Sequence, residues 1–124
     1  MNKVQILDGG MGRELKRIGA PFQQPEWSAL ALLEAPEYVS MAHNAFISSG
    51  ADIITTNSYA VVPFHIGELR FTERGHELAQ LAAEIARACA DKASHSVKVA
   101  GSLNRKFPVR NLLQVSFWKY ISEL

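Results

Sequence analysis

Apolar residues in this chain recur with two different spacings, and each change of spacing marks an element. Val4-Gln5-Ile6-Leu7 is a short, mostly apolar run that reads as a strand and stops at Asp8-Gly9-Gly10. Leu15 to Ile18 predicts one or two helical turns closed by Gly19. Ala20-Pro21-Phe22-Gln23-Gln24-Pro25 reads as a loop, since a proline disfavours helix at the residue before it, and Trp27 to Leu33 predicts a short helix. The next element is stronger. Pro36 sits at a first helical position with Glu37 in the first turn, and Val39, Ala42, Phe46 and Ile47 recur at helical spacing. Gly50 is placed to end that helix in a left-handed conformation. Ala51 to Thr55 reads as a second strand, and Thr72 to Lys92 as a long helix with Leu78, Leu81, Ala82, Ile85 and Cys89 on one stripe. Val97 to Ala100 makes a third strand, closing on Gly101-Ser102. From Arg110 to Leu124, Leu113, Phe117, Tyr120 and Leu124 share one helical face, which Trp118 and Ile121 broaden.

Strand, helices, strand, helix, strand is the order of an α/β fold whose parallel strands are joined by right-handed crossovers. Parallel strands would carry Asp8-Gly9-Gly10, Thr55-Thr56-Asn57-Ser58-Tyr59 and Gly101-Ser102 at their carboxyl ends. Ligands bind at that end of such sheets. At 124 residues the chain is one domain at most, and its 48% apolar and 20% charged content is that of a globular protein. A net charge of +1 with interspersed signs excludes a strong field, so neither nucleic acid nor an anionic membrane is expected as a partner. No apolar run approaches the roughly 18 residues of a membrane span, and the N-terminal apolar segment is too short for a signal peptide. Cys89 is the single cysteine, so no internal disulfide forms and a cytoplasmic location is expected.

Asp8-Gly9-Gly10 admits two readings. It makes a tight turn, or it brings a ligand close to bare backbone N–H groups. In the second reading those amides, with a helix starting near Met11, favour an anion such as a carboxylate, while Asp8 favours an ammonium. Opposite charges held close together suit a zwitterion, of which a free amino acid is the commonest. Thr55 to Tyr59 likewise reads either as ligand-binding or as a loop of local side-chain-to-backbone bonds. Trp27 reads as core or contact, His43 as a satisfied structural group, and Cys89 as core. His65, His76 and His95 share no metal-binding spacing, and nothing matches a Ser-His-Asp set, a phosphate loop or a dinucleotide fingerprint.

Taken together, Ile6-Leu7-Asp8-Gly9-Gly10-Met11-Gly12-x-Glu14-Leu15, Trp27-Ser28-Ala29, Pro36-Glu37, His43, Gly50-Ala51-Asp52-Ile53-Ile54-Thr55-Thr56-Asn57-Ser58-Tyr59 and Val99-Ala100-Gly101-Ser102-Leu103 resemble the homocysteine S-methyltransferase family. The resemblance implies the N-terminal part of a (β/α)8 TIM barrel, with about three parallel strands and their crossover helices. Such a barrel typically needs ~250 residues, so this one is incomplete. It implies methyl transfer to the sulfur of homocysteine, giving methionine, from a donor such as S-methylmethionine, S-adenosylmethionine, betaine or a methylfolate. By similarity Asp8 takes the substrate ammonium, the backbone at Gly9 and Gly10 takes its carboxylate, and Trp27, Asn57 and Tyr59 line the pocket. The family's zinc ion sits on three cysteine thiolates in the second half of the barrel, and Cys89 matches none of them.

The resemblance thus divides the chain into a partial barrel domain, residues 1–103, and a divergent tail, residues 104–124. It implies a truncated fragment with no catalytic or metal-binding residue of its own, inactive as a methyltransferase and self-associating through an uncovered sheet edge. The alternative is a non-catalytic α/β module that binds an amino acid or a partner protein. A phosphate at the Asp8 loop is disfavoured, because the carboxylate would repel it.

Overall fold

The computed structural model describes residues 3–104. Their elements are α1 (Met11–Arg17), α2 (Ser28–Glu34), α3 (Pro36–Ser48), β1 (Ile53–Thr55), α4 (Pro63–Ile66), α5 (Glu68–Asp91) and β2 (Lys98–Ala100). β1 and β2 pair in parallel, with Ile53, Ile54 and Thr55 opposite Lys98, Val99 and Ala100. A further parallel bridge joins Leu7 to Ile53. The α/β class and the parallel pairing expected from the order of elements are present.

The strand expected at Val4–Leu7 is reduced to that one bridge, and the backbone hydrogen bonds explain why. Ile53 N–H donates to the Ile6 carbonyl at 3.2 Å, and Asp8 N–H donates to the Ile53 carbonyl at 2.9 Å. A regular parallel ladder would continue with Ile6 N–H on the Ala51 carbonyl and Thr55 N–H on the Asp8 carbonyl. Carboxylate side chains take both places. Ile6 N–H donates to Asp52 Oδ2 at 3.0 Å, and Thr55 N–H donates to Asp8 Oδ2 at 2.8 Å. The Ala51 carbonyl, displaced from the ladder, accepts from the His95 ring at 2.9 Å. Pairing therefore persists on both sides of Leu7–Ile53, but through side chains.

Two helices end in the same way. Gly19 (φ 82°) follows α1 and Gly50 (φ 104°) follows α3, each in the left-handed region that glycine enters without steric cost. After α3, Ala51 N–H donates to the Phe46 carbonyl and Gly50 N–H to the Ile47 carbonyl, each at 3.0 Å. That is the Schellman arrangement, and it satisfies carbonyls that the helix end would leave unpaired. Pro36 opens α3 at its first turn, as expected.

α5 begins at Glu68, earlier than its apolar stripe suggests, because its first turn carries an exposed Leu69. Gly67 (φ 89°) separates it from α4, a four-residue helix opened by Pro63 and too short to show a period. The buried face of α5 is rich in small residues, including Ala79, Ala82, Ala83, Ala86 and Ala90, which lets its neighbours pack close to its axis.

Two apolar clusters hold the elements together. One unites Leu15, Leu32, Val39, Ala42, Val61, Ile66 and Leu78 from α1 to α5. The other places Ile47, Ala86, Cys89 and Ala90 against Ile54 and Val97, so the α3 and α5 layer covers one face of the sheet. Leu7, 60% exposed, belongs to the opposite face, and Val4 and Ile6 beside it are 82% and 57% exposed.

A Cβ added at Gly50 would meet nothing within 4 Å, so Gly50→Ala tests the backbone conformation alone. A loss of at least about 1 kcal/mol in urea unfolding is expected. An unchanged midpoint would mean that Ser48 and Ala51 are not joined through this left-handed turn.

Candidate functional site

The loop that leaves the Leu7–Ile53 bridge carries Asp8, Gly9 and Gly10 into the start of α1. Asp8 is half-buried. Its Oδ2 accepts Thr55 N–H at 2.8 Å, and the Thr55 hydroxyl lies 3.2 Å from Oδ2 and 3.3 Å from Oδ1. Burial pushes the Asp8 carboxyl above its ordinary range, and the Thr55 amide and hydroxyl draw it only part of the way back. No cation among the described residues forms an ion pair with it. The result is a partly desolvated carboxylate whose partners among the described residues are backbone amides and a hydroxyl, all neutral.

The glycines beside it have separate reasons. Neither has a positive φ, so a left-handed turn does not explain them. A Cβ at Gly9 would stand 3.0 Å from the Phe46 ring of α3, a tight contact that the ring would have to relieve by moving a few tenths of an ångström. A Cβ at Gly10 would meet only Arg13 Cβ, at an ordinary 3.6 Å. Gly10 has room for a methyl group and an unexceptional backbone (φ −70°, ψ 111°). A cavity of about 310 Å³ lined by Gly10, Arg13, Glu14, Arg17 and Phe46 adjoins the loop.

At the carboxyl end of β1 the short polar residues turn inward. Thr56, Asn57 and Ser58 are buried. Asn57 Nδ2 donates to the Ser28 carbonyl at 3.0 Å, the first residue of α2. Ser58 Oγ donates to the Ser102 carbonyl at 2.7 Å, and Thr56 Oγ1 accepts Ser102 N–H at 3.0 Å. These bonds stitch the ends of β1 and β2 together, which is the local-bond reading of the segment. Tyr59, by contrast, is 55% exposed.

Trp27 caps α2 at φ 50°, ψ −123°, a conformation that costs a non-glycine residue about 1–3 kcal/mol. Its ring packs against Phe22 at 5.5 Å and remains 38% exposed. The structure thus ties Asp8 to β1 and Asn57 to the Trp27–Ser28 corner, with Trp27 and Tyr59 as exposed rings. Asp52 is the polar group that the sequence reading left without a role, and Thr55, read there only as part of the polar run to Tyr59, is the residue that holds Asp8. Their signal was present, as polar side chains within an otherwise apolar strand.

The other candidates are structural. His43 is fully buried on α3, but both ring nitrogens lack a hydrogen-bond partner among the described residues, which differs from the satisfied group expected. Burial lowers its pKa to about 4. Cys89 Sγ lies 3.7 Å from the Ser40 carbonyl within the second cluster, and burial pushes its thiol up. Among the described residues no three His, Cys, Asp or Glu side chains are grouped to hold a metal. No helix of the described residues is long and apolar enough to cross a membrane. A cleft of about 420 Å³ opens at the opposite, amino end of the strands, but its Asp52 and His95 are engaged with Ile6 and Ala51.

Comparison with known proteins covers the same span. The family model for homocysteine S-methyltransferase matches residues 5–108. The chain is 35% identical over 103 residues to homocysteine S-methyltransferase 1 of Arabidopsis thaliana, covering 81% of this chain and 32% of that protein. It is 37% identical over 90 residues to a selenocysteine methyltransferase of Astragalus bisulcatus, covering 72% and 27%. The crystal structure of the homocysteine methyltransferase MmuM from Escherichia coli, in its oxidized form, superposes with a TM-score of 0.66 at 28% identity. That match covers 82% of this chain and 37% of MmuM, so the chain spans about a third of the length of these relatives.

The buried imidazole provides a test of the packing around α3. Because its folded pKa is lowered from 6.5 to about 4, the unfolded chain takes up a proton that the folded chain refuses. Its effect on stability is favourable above pH ~6.5 and is lost as pH falls toward ~4, by roughly 3 kcal/mol. His43→Leu should flatten urea-unfolding stability over that window. Equal pH slopes in both proteins would show that the ring is not held neutral.

Proposed function

The chain belongs to the homocysteine S-methyltransferase family, and from that premise we propose that its described residues form the amino-acid-holding part of a site for methyl transfer to homocysteine sulfur. The observation that carries the proposal is the half-buried Asp8 carboxylate without a cationic partner among the described residues. An ammonium ion is the partner that such a group lacks. The substrate carboxylate would meet the backbone amides at Gly9 and Gly10. Gly10 supports this, because neither its φ nor its protein neighbours require the missing side chain. Trp27 and Tyr59 would supply an aromatic wall, and Asn57 would act by holding the Ser28 corner beside Trp27. Homocysteine and a selenol-bearing amino acid share the ammonium and carboxylate, so this grip does not distinguish sulfur from selenium.

In this reading residues 1–103 are the N-terminal part of a (β/α)8 barrel domain, and 104–124 a tail divergent in sequence. The parallel pairing, the single covered sheet face and the partial superposition on MmuM support it. The family resemblance implies zinc on three thiolates. This sequence has one cysteine, engaged in the core, and no suitable group lies among the described residues. The described residues do not fit the metal. Methyl transfer would need ligands from outside this chain. A single cysteine is in keeping with a reducing, cytoplasmic setting.

Asp8→Asn keeps an acceptor for Thr55 N–H but removes the charge. Calorimetric titration should show homocysteine binding weakened about 10- to 100-fold, as expected for a lost charge-assisted hydrogen bond. An analogue lacking the amino group should bind both proteins alike. Equal homocysteine affinity in the two would remove Asp8 from the site. The exposed Val4, Ile6 and Leu7 further predict concentration-dependent association in sedimentation, weakened by Leu7→Lys. A wild-type protein that stays monomeric over a wide concentration range would rule that contact out.

A further inference from the structure

Apart from its own backbone amide, the Asp8 carboxylate is held among the described residues by one residue, Thr55. Thr55 presents its backbone N–H and its hydroxyl to the same carboxylate, at 2.8 Å and at 3.2–3.3 Å. The amide occupies Oδ2 because the side chain has taken the place of the Asp8 carbonyl in the ladder. Oδ2 therefore carries two contacts, whereas Oδ1 carries only the longer one from the hydroxyl. A carboxylate has about four acceptor positions, so most of the remaining capacity lies on Oδ1. The backbone of Thr55 is fixed in turn by pairing with Ala100 of β2.

We infer that Thr55 is the positioning residue for Asp8, its hydroxyl fixing the carboxylate so that an incoming ammonium is received at Oδ1. The inference rests on reading Asp8 as the ammonium partner. The amide contact survives any substitution at position 55 except proline, so the hydroxyl is the variable part. Removing it leaves the carboxylate free to turn about one remaining bond. A threonine retained only for its β-branched fit to the strand would be replaced by valine without consequence for Asp8.

The test uses the full chain in three forms: wild type, Thr55→Val and Thr55→Ser. Carbon-13 NMR titration of the Asp8 carboxyl reads the contact directly, without ligand. In Thr55→Val the midpoint should move upward, since the ionised form has lost a donor, and Thr55→Ser should restore it. Homocysteine affinity should fall about tenfold in Thr55→Val and return in Thr55→Ser. If Thr55→Val does not fold, Thr55→Ala is read in the same way. An Asp8 midpoint unchanged by loss of the hydroxyl overturns the inference, as does an equal shift in valine and serine variants. Failure of wild type to bind homocysteine would instead count against the reading of the site, and the NMR titration would still decide the role of Thr55.

Discussion

The fold of the described residues depends on how its first segment is attached to the sheet. Around Leu7–Ile53 two backbone bonds are ordinary, and the flanking pair is made by the carboxylates of Asp52 and Asp8. An acceptor on a side chain reaches a donor that a carbonyl in a regular ladder would have met. The attachment is local and polar, not a run of paired backbone. For the part-buried Thr55 amide, which would otherwise lack its ladder partner, this matters more than the bond's own modest net worth, whereas the Ile6 amide is exposed to water. Asp52 fixes where the segment enters and Asp8 where it leaves, so the glycines that follow are delivered to a set position above β1.

This arrangement explains why the sequence was readable in parts. The α3–β1 unit was legible because each end carries its own signal: proline at the start, helical spacing between, and a glycine that must adopt a left-handed φ. The long helix and the second and third strands were legible for similar reasons of period and length. The first strand was overread, because apolar alternation at Val4–Leu7 cannot reveal that neighbouring ladder steps are made by side chains. α4 escaped because one turn of helix has no period. The polar cluster after β1 shows the converse. Its composition suited a ligand, yet burial gave Thr56, Asn57 and Ser58 internal partners instead.

The chain belongs to the homocysteine S-methyltransferase family, and Asp8 is a half-buried carboxylate without a cationic partner among the described residues. A grip on ammonium and carboxylate orients an amino acid but does not activate its thiol. The two tasks call for different groups, and among the described residues no cluster of metal-ligating side chains is present for the second. The exposed face of the sheet fits the same division, since parallel sheets are ordinarily covered on both sides or closed into a barrel.

Phe46 links these features into a closed circuit. Its ring lies under Gly9, and its carbonyl receives the Ala51 amide as α3 ends. The next residue, Asp52, clasps Ile6, from which three steps along the chain return to Gly9. A ligand reaching that loop would meet backbone already anchored at several points, so little ordering would be left to oppose its binding.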